Sequence, residues 1–173
     1  MLLTFSCLKS SITIFCPIFA FENKMKFSIL TILTFVFGFL QCQNQHPKGY
    51  FRSPLEIPLV LAGNFGELRT NHFHAGIDIK TEGVIGKKVF ATADGFISRI
   101  KIQHSGYGKV IYIDHPNGYT TTYAHLSSFS DKIDQILKKK QYSEQSYTVD
   151  WYLDSGLIAI KKGELIALSG NSG

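Results

Sequence analysis

The stretch GKVIYIDHPNGYTTTYAHL, residues 108–126, contains the clearest structural signal in the chain. Two runs rich in Val, Ile, Thr and Tyr flank the polar segment 114–118, which ends in Asn-Gly. Asn and Gly readily adopt the positive φ angles of a tight turn between antiparallel strands. The stretch therefore predicts a β-hairpin. Strand alternation would place four side chains of its second strand on one face: Tyr119, Thr121, Tyr123 and His125.

Runs of the same kind lie on both sides of this hairpin. VFATADG and FISRIKI, residues 89–102, precede it, and LIAIKKGELIALSG, residues 157–170, follows it with a turn at Lys162-Gly163. In FISRIKI, alternation predicts a core face and a solvent face. The core face would hold Phe96, Ile100 and Ile102, and the solvent face would hold Arg99 and Lys101.

One segment has helical rather than strand character. Ser130 is a candidate N-cap, Asp131 and Asp134 lie in the first turn, and Lys138–Lys140 would close the helix. An apolar stripe is formed by Ile133, Ile136 and Leu137. The pattern predicts an all-β fold, a mostly antiparallel β-sandwich with one inserted α-helix. The whole segment 130–156 is a candidate for a lid or a partner surface.

The first 42 residues differ in composition from the rest, with no Asp and a single Glu. Met25-Lys26 followed by FSILTILTFVFGFL, residues 27–40, has the charged and apolar regions of a secretory signal. Cleavage near Cys42 would leave a chain that begins at about Gln43 and is exported to the periplasm or cell envelope. Lipid attachment at Cys42 and membrane anchoring through the N-terminal segment stay open as alternatives, and Met25 is a candidate initiator.

The remaining sequence divides into a lead-in, 43–62, with three prolines, and a domain, 63–173. Residues 43–173 carry 15 Lys and Arg against 12 Asp and Glu, and these charges are spread along the chain. No basic stripe with interleaved aromatics is present, so nucleic acid is not an expected partner.

Cys7 and Cys16 lie in the N-terminal extension. We therefore expect neither a disulfide nor a thiolate metal site in the domain.

The segment NHFHAGIDI, residues 71–79, places His74 and Asp78 four residues apart. Imidazole nitrogen and carboxylate oxygen are suitable donors for Zn²⁺, but catalytic zinc sites typically use three protein ligands. His125, taken alone, is more typical of a half-exposed strand histidine.

His72 is assigned to the surface, and His46, His104 and His115 to loops and turns. For Arg69, an ion pair with a carboxylate is favoured over a substrate contact.

Four blocks in order resemble the zinc endopeptidases of the lysostaphin and LytM type, which cut peptides in bacterial cell walls. They are FHAGIDI (73–79), VFATADGFISRI (89–100), GYGKVIYIDHPNGYTTTYAHLSSF (106–129) and KKGELIALSGNSG (161–173). The resemblance implies that His74 and Asp78 are zinc ligands and that His125 is a catalytic histidine without a metal bond. It also implies a sandwich of the duplicated-hybrid-motif type and a peptidoglycan peptide as substrate.

The sequence departs from this family in one respect. Members carry a His-x-His pair shortly after the turn that SGNSG resembles, and its second histidine is the third zinc ligand, whereas this sequence ends at Gly173. We therefore expect the 173-residue chain to be an inactive fragment. The alternative is a non-catalytic LytM-like domain that binds cell wall or activates an amidase. The presence of His74, Asp78 and His125 favours the fragment. A carrier-type sandwich ranks last, because no modifiable lysine lies at a hairpin tip.

Overall fold

The computed structural model describes residues 48–70 and 72–172, together with the backbone of residues 2–7. Residues 2–7 and 50–172 belong to one compact unit. Its elements are β1 Leu2–Cys7, β2 Leu61–Gly63, β3 Ile77–Ile79, β4 Lys88–Phe90, β5 Gly95–Ile102, β6 Lys109–Asp114, β7 Tyr119–Ala124, β8 Leu126–Phe129, α1 Asp131–Glu144, β9 Val149–Tyr152, β10 Ala159–Ile160 and β11 Leu165–Ser169.

These strands form two antiparallel sheets. The larger has the order β10-β5-β6-β7-β1-β3-β2, with β9 also paired to β5, and the smaller has the order β4-β11-β8. One hydrophobic cluster takes side chains from both sheets: Ile97, Ile100, Ile111, Ile113 and Tyr123 from the larger, and Val89, Leu126, Phe129, Ile166 and Ala167 from the smaller. The all-β class with a single helix in the described part of the chain is confirmed.

The central hairpin is also confirmed, with β6 and β7 paired in register from Ile111 opposite Tyr123 to Asp114 opposite Thr120. At its turn the His115 carbonyl accepts a hydrogen bond from the Gly118 amide at 2.9 Å. Gly118 has a φ of 79°, which favours glycine because it has no side chain to clash. The turn needs a positive φ at Gly118 alone and not at Asn117.

The predicted core face of β5 is wrong at its first position. Ile97, Ile100 and Ile102 are buried, whereas Phe96 is only half-buried. The pairing of β5 with β6 shifts register between Ile97 and Arg99. This irregularity resets the alternation of side chains, as an extra residue in one strand does. A period-two pattern read through the whole strand therefore assigns its beginning to the incorrect face.

The inserted helix α1 begins after Ser130 as predicted, although the Ser130 side chain makes no capping hydrogen bond. The helix ends at Glu144 rather than near Lys140, and its last turn contains no basic residue. Ile133 and Leu137 are buried in the shared hydrophobic cluster. The strand that follows, β9, pairs with β5. The inserted segment is therefore part of the core and of the larger sheet, and a role as a lid or a partner surface stays a prediction.

Only part of the predicted N-terminal extension belongs to the residues that the structure describes. Residues 2–7, within the predicted extension, form β1, whose Leu2 pairs with Asp78 of β3 on one side and with Ala124 of β7 on the other. The predicted signal segment, residues 27–40, and Cys42 lie outside the described residues. In the described part of the chain, no helix combines the length and apolar character needed to cross a membrane.

The lead-in contacts the domain from Tyr50 onward. The Arg52 amide donates to the Thr92 carbonyl, and the Phe90 amide donates to the Pro54 carbonyl, both at 2.8 Å. Leu55 is buried. The last lead-in residues belong to β2, which pairs with β3. The lead-in therefore fixes the edge of the sheet that contains the NHFHAGIDI segment.

His115, which sequence reasoning assigned only to the turn, is buried. Its Nδ1–H donates to the Asp94 carbonyl at 2.7 Å, and its Nε2 lies 2.8 Å from the Thr121 hydroxyl. The ring of Phe51 from the lead-in packs edge-on against it. Burial lowers the pKa of His115 below its ordinary value of 6.5, an effect partly offset by the Asp94 carbonyl and by the charges of Asp114 and Asp94.

Because the folded-state pKa of His115 is lowered, folding is opposed when this ring becomes protonated. Its contribution to stability is complete above the unfolded-state pKa near 6.5 and is lost as the pH falls below that value through the folded-state pKa. We expect urea unfolding to show a larger loss of stability between pH 8 and pH 5 for the parent chain than for His115→Gln, whose amide does not titrate. Parallel losses in the two proteins would contradict this assignment.

Candidate functional site

The NHFHAGIDI segment and the YAHL segment meet at one cleft of about 350 Å³. The residues lining this cleft are Arg69, Thr70, His72, His74, Asp78, Gly106, Tyr107 and His125. The structure thus brings together the three residues that the sequence analysis selected. His72, which was assigned to the surface, is exposed but also borders the cleft.

His74 is held by backbone hydrogen bonds to Gly66 and Glu67. Its amide donates to the Glu67 carbonyl and its carbonyl accepts from the Gly66 amide, both at 2.8 Å. Its side chain is only 8% exposed. Nδ1 lies 2.9 Å from the Asn64 carbonyl, which cannot donate, so Nδ1 carries the proton. The 3.5 Å approach of Arg69 to the same nitrogen is too long to compete.

With Nδ1 protonated, the neutral ring of His74 has its lone pair on Nε2. This atom lies 3.3 Å from Oδ1 of Asp78. Two atoms that each present a lone pair repel each other at this distance unless a proton or a cation lies between them. Metal bonds of about 2.0–2.2 Å at a tetrahedral angle place two ligand atoms about 3.4 Å apart. The pair therefore fits a tetrahedral metal ion, and the backbone carbonyl behind His74 is the usual support of a metal-binding imidazole.

The second oxygen of Asp78 is held by Arg69. Arg69 Nη2 donates to Asp78 Oδ2 at 2.7 Å and to Glu67 Oε2 at 3.2 Å. The hydrogen bond with Asp78 is the chief reason that the pKa of Arg69 is raised. The predicted ion pair of Arg69 with a carboxylate is confirmed. One carboxylate oxygen is thereby kept in the ion pair while the other faces His74.

Gly63 of β2 makes this ion cluster sterically feasible. A Cβ at this position would lie 2.5 Å from both Arg69 Nη2 and Asp78 Oδ2. A side chain at this position would therefore force the Arg69–Asp78 ion pair to move. Sequence reasoning missed Gly63, Asn64 and Glu67, because their contacts depend on the path of an irregular loop and no spacing rule applies to it.

His125 does not continue the alternation of β7. The strand ends at Ala124, and His125 has a φ of 56°, which is unusual for a residue other than glycine. The predicted common face with Tyr119, Thr121 and Tyr123 is therefore wrong for His125. This kink between β7 and β8 directs the imidazole to the cleft, where Tyr107 packs edge-on against it at 6.1 Å between ring centroids.

His125 is also fixed through its ring. Nδ1 lies 2.7 Å from the Ser172 carbonyl, so Nδ1 is the protonated nitrogen and Nε2 has the lone pair. The backbone amide of His125 donates to the Tyr107 carbonyl at 3.0 Å. A neutral imidazole held in this way is a suitable proton acceptor. Among the described residues, no group of three or more His, Cys, Asp or Glu side chains is arranged to hold a metal ion.

Comparisons with known proteins agree on one family. The sequence model of a family described as "Peptidase family M23" matches residues 72–142 of this chain. A relative named "Uncharacterized metalloprotease" from Haemophilus influenzae is 30% identical over 132 residues, which is 73% of this chain and 22% of the relative.

Two other relatives match over shorter ranges. "Cell division protein DipM" from Caulobacter vibrioides is 33% identical over 92 residues, 53% of this chain and 14% of the relative. "DD-carboxypeptidase/endopeptidase Mpg" from Neisseria meningitidis is 46% identical over 63 residues, 36% of this chain and 14% of the relative. The chain thus spans no more than 22% of the length of these three relatives.

Proposed function

We propose, since the chain belongs to the LytM type of peptidase family M23, that its domain is the catalytic part of a zinc-dependent endopeptidase that cuts peptide bonds of bacterial peptidoglycan. The observation that supports this most strongly is the 3.3 Å spacing of His74 Nε2 and Asp78 Oδ1. His125 borders the same cleft. A non-catalytic wall-binding or amidase-activating domain has no need for this combination.

In this proposal His74 and Asp78 would hold Zn²⁺, with Nε2 of His74 and Oδ1 of Asp78 as the donor atoms that face each other. When bound, the metal makes a water molecule more acidic and polarises the scissile carbonyl as a Lewis acid. Asn64 supports His74 from behind, and Arg69 restricts Asp78 to binding through one oxygen. Such supporting contacts typically change metal affinity by about 10–100-fold when they are removed.

His125 acts on protons in this mechanism. Its Nε2 takes up a proton released during attack on the peptide carbonyl, and the protonated ring then stabilises the developing oxyanion. Imidazole suits this role because its ordinary pKa lies close to neutral pH. Tyr107 packs edge-on against the ring and limits the orientations that it can adopt.

The family and the names of the relatives support the proposed substrate class. One relative's name gives carboxypeptidase and endopeptidase activity, and another's refers to cell division. A peptidoglycan peptide fits both names. We also propose that the protein is exported to the periplasm or cell envelope, with the N-terminal segment as signal or anchor. Digestion of purified cross-linked peptidoglycan by the natural gene product that contains these residues tests this function. We expect release of cleaved muropeptides that a chelator prevents, and no release with Zn²⁺ present would contradict it.

The 173-residue chain itself supplies two of the expected ligands. Complete zinc sites contribute about 12 kcal/mol. Loss of one donor in three leaves about 8 kcal/mol, which corresponds to a Kd of about 1 μM. Competition of the purified chain against a chelating dye is therefore expected to show micromolar or weaker zinc binding, with no peptidase activity. Nanomolar binding by these residues alone would refute the prediction.

A further inference from the structure

The segment 170–172 lies directly against the residues that surround His125. A Cβ at Gly170 would lie 2.4 Å from the Ser127 amide nitrogen, and a Cβ at Gly108 would lie 2.4 Å from the carbonyl carbon, the carbonyl oxygen and the hydroxyl of Ser172. Gly108 also has a φ of 59°. These glycines allow Ser172 to approach the His125 ring.

The Ser172 hydroxyl forms hydrogen bonds with the backbone of two strands. It accepts a hydrogen bond from the Lys109 amide at 3.0 Å and donates one to the Leu126 carbonyl at 2.8 Å. Lys109 begins β6, and Leu126 begins β8 immediately after His125. A single hydroxyl therefore joins Ser172 to the first residue of β6 and to the residue that directly follows His125.

The backbone of His125 is strained, since a non-glycine residue with a positive φ costs about 1–3 kcal/mol. Such a conformation persists only when its surroundings hold it. Here the Tyr107 carbonyl accepts the His125 amide, and the Ser172 carbonyl accepts Nδ1–H at 2.7 Å. The second contact also selects the tautomer, because a carbonyl accepts a hydrogen bond only from a protonated nitrogen.

The geometry points to Ser172 as a positioning residue: its carbonyl keeps the proton of the His125 ring on Nδ1, so that Nε2 is the nitrogen able to accept a proton. Its hydroxyl keeps that carbonyl in place. The role assigned to Nε2 rests on the proposed peptidase function, but the tautomer does not. In water a free imidazole favours the proton on Nε2, so loss of the Ser172 contact has a visible result.

Nitrogen NMR of the ¹⁵N-labelled 173-residue chain, at a pH where His125 is neutral, tests this directly. The parent chain is expected to show Nδ1 protonated and Nε2 unprotonated. Ser172→Ala removes the hydroxyl and is expected to shift the population toward Nε2–H, whereas Ser172→Thr keeps the hydroxyl and the parent tautomer. Ser143→Ala is the matched control, because the Ser143 hydroxyl donates only to the Lys140 carbonyl on the exposed surface of α1.

An Nε2–H tautomer in the parent chain, or unchanged His125 signals in Ser172→Ala, would overturn the inference. The parent and Ser172→Thr spectra decide the matter even if Ser172→Ala does not fold. In the natural gene product, Ser172→Ala is expected to lower kcat by up to about 100-fold, with little change in KM, since the proton acceptor is displaced. A tautomer shift without any hydrolysis by the parent protein would instead reject the proposed function and leave the role of Ser172 standing.

Discussion

Replacement of His125 by alanine in the natural gene product is expected to lower peptidoglycan hydrolysis by about 10²–10⁴-fold, the range that a positioned acid or base contributes. Zinc affinity should stay within about threefold of the parent value, a difference of less than 1 kcal/mol, because His125 makes no metal bond in this mechanism. Muropeptide release and zinc competition measured on the same preparation check the two halves of the prediction.

His104→Ala is the control for this substitution. His104 stacks near Tyr147 and lies outside the cleft, so its loss should change neither hydrolysis nor zinc affinity. Full activity in His125→Ala would show that the proton is accepted elsewhere. A large fall in zinc affinity would instead make His125 a ligand.

Replacement of Asp78 by alanine is expected to have the second large effect. Removal of one donor in three costs about 4 kcal/mol of metal binding, or about 10³-fold in affinity. It also leaves Arg69 paired with Glu67 alone. Hydrolysis should fall to background at any zinc concentration below the weakened Kd, and metal content after dialysis, measured by atomic emission, should fall with it.

Asp150→Ala is the matched control for Asp78→Ala, because Asp150 also accepts from an arginine, with two contacts of 2.7 Å to Arg99. It lies on β9 and does not border the cleft. Metal content and activity should be unchanged in this variant. Full metal content in Asp78→Ala would remove Asp78 from the ligand set.

The strand content was predictable because alternation and turn residues are local signals. The β6–β7 hairpin and the Lys162-Gly163 turn, where Gly163 has a φ of 82°, depend on side chains that lie close together in sequence. The bulge in β5 and the length of α1 were not predictable in this way. Both are decided by pairing and packing partners, such as β6 for Ile97 and the core for Leu137.

The candidate site was also predictable only in part. Donor chemistry and spacing singled out His74 and Asp78. The resemblance to a family then implied that these two are zinc ligands and that His125 is a catalytic histidine. The supporting residues were found only in part. An ion pair of Arg69 with a carboxylate was predicted, but not that the carboxylate is Asp78, nine residues away. Ser172, which lies 47 residues from His125, was missed. The kink at His125 was missed because a strand pattern cannot show where its own alternation stops.

The central claim is that a zinc ion lies between His74 and Asp78. Anomalous diffraction at the zinc absorption edge, from crystals of the natural gene product grown with Zn²⁺, tests it most directly. The mechanism predicts one peak about 2.0–2.2 Å from both His74 Nε2 and an Asp78 carboxylate oxygen, with His125 outside bonding distance. A zinc peak elsewhere with none between these two side chains, or one bonded to His125, would contradict it.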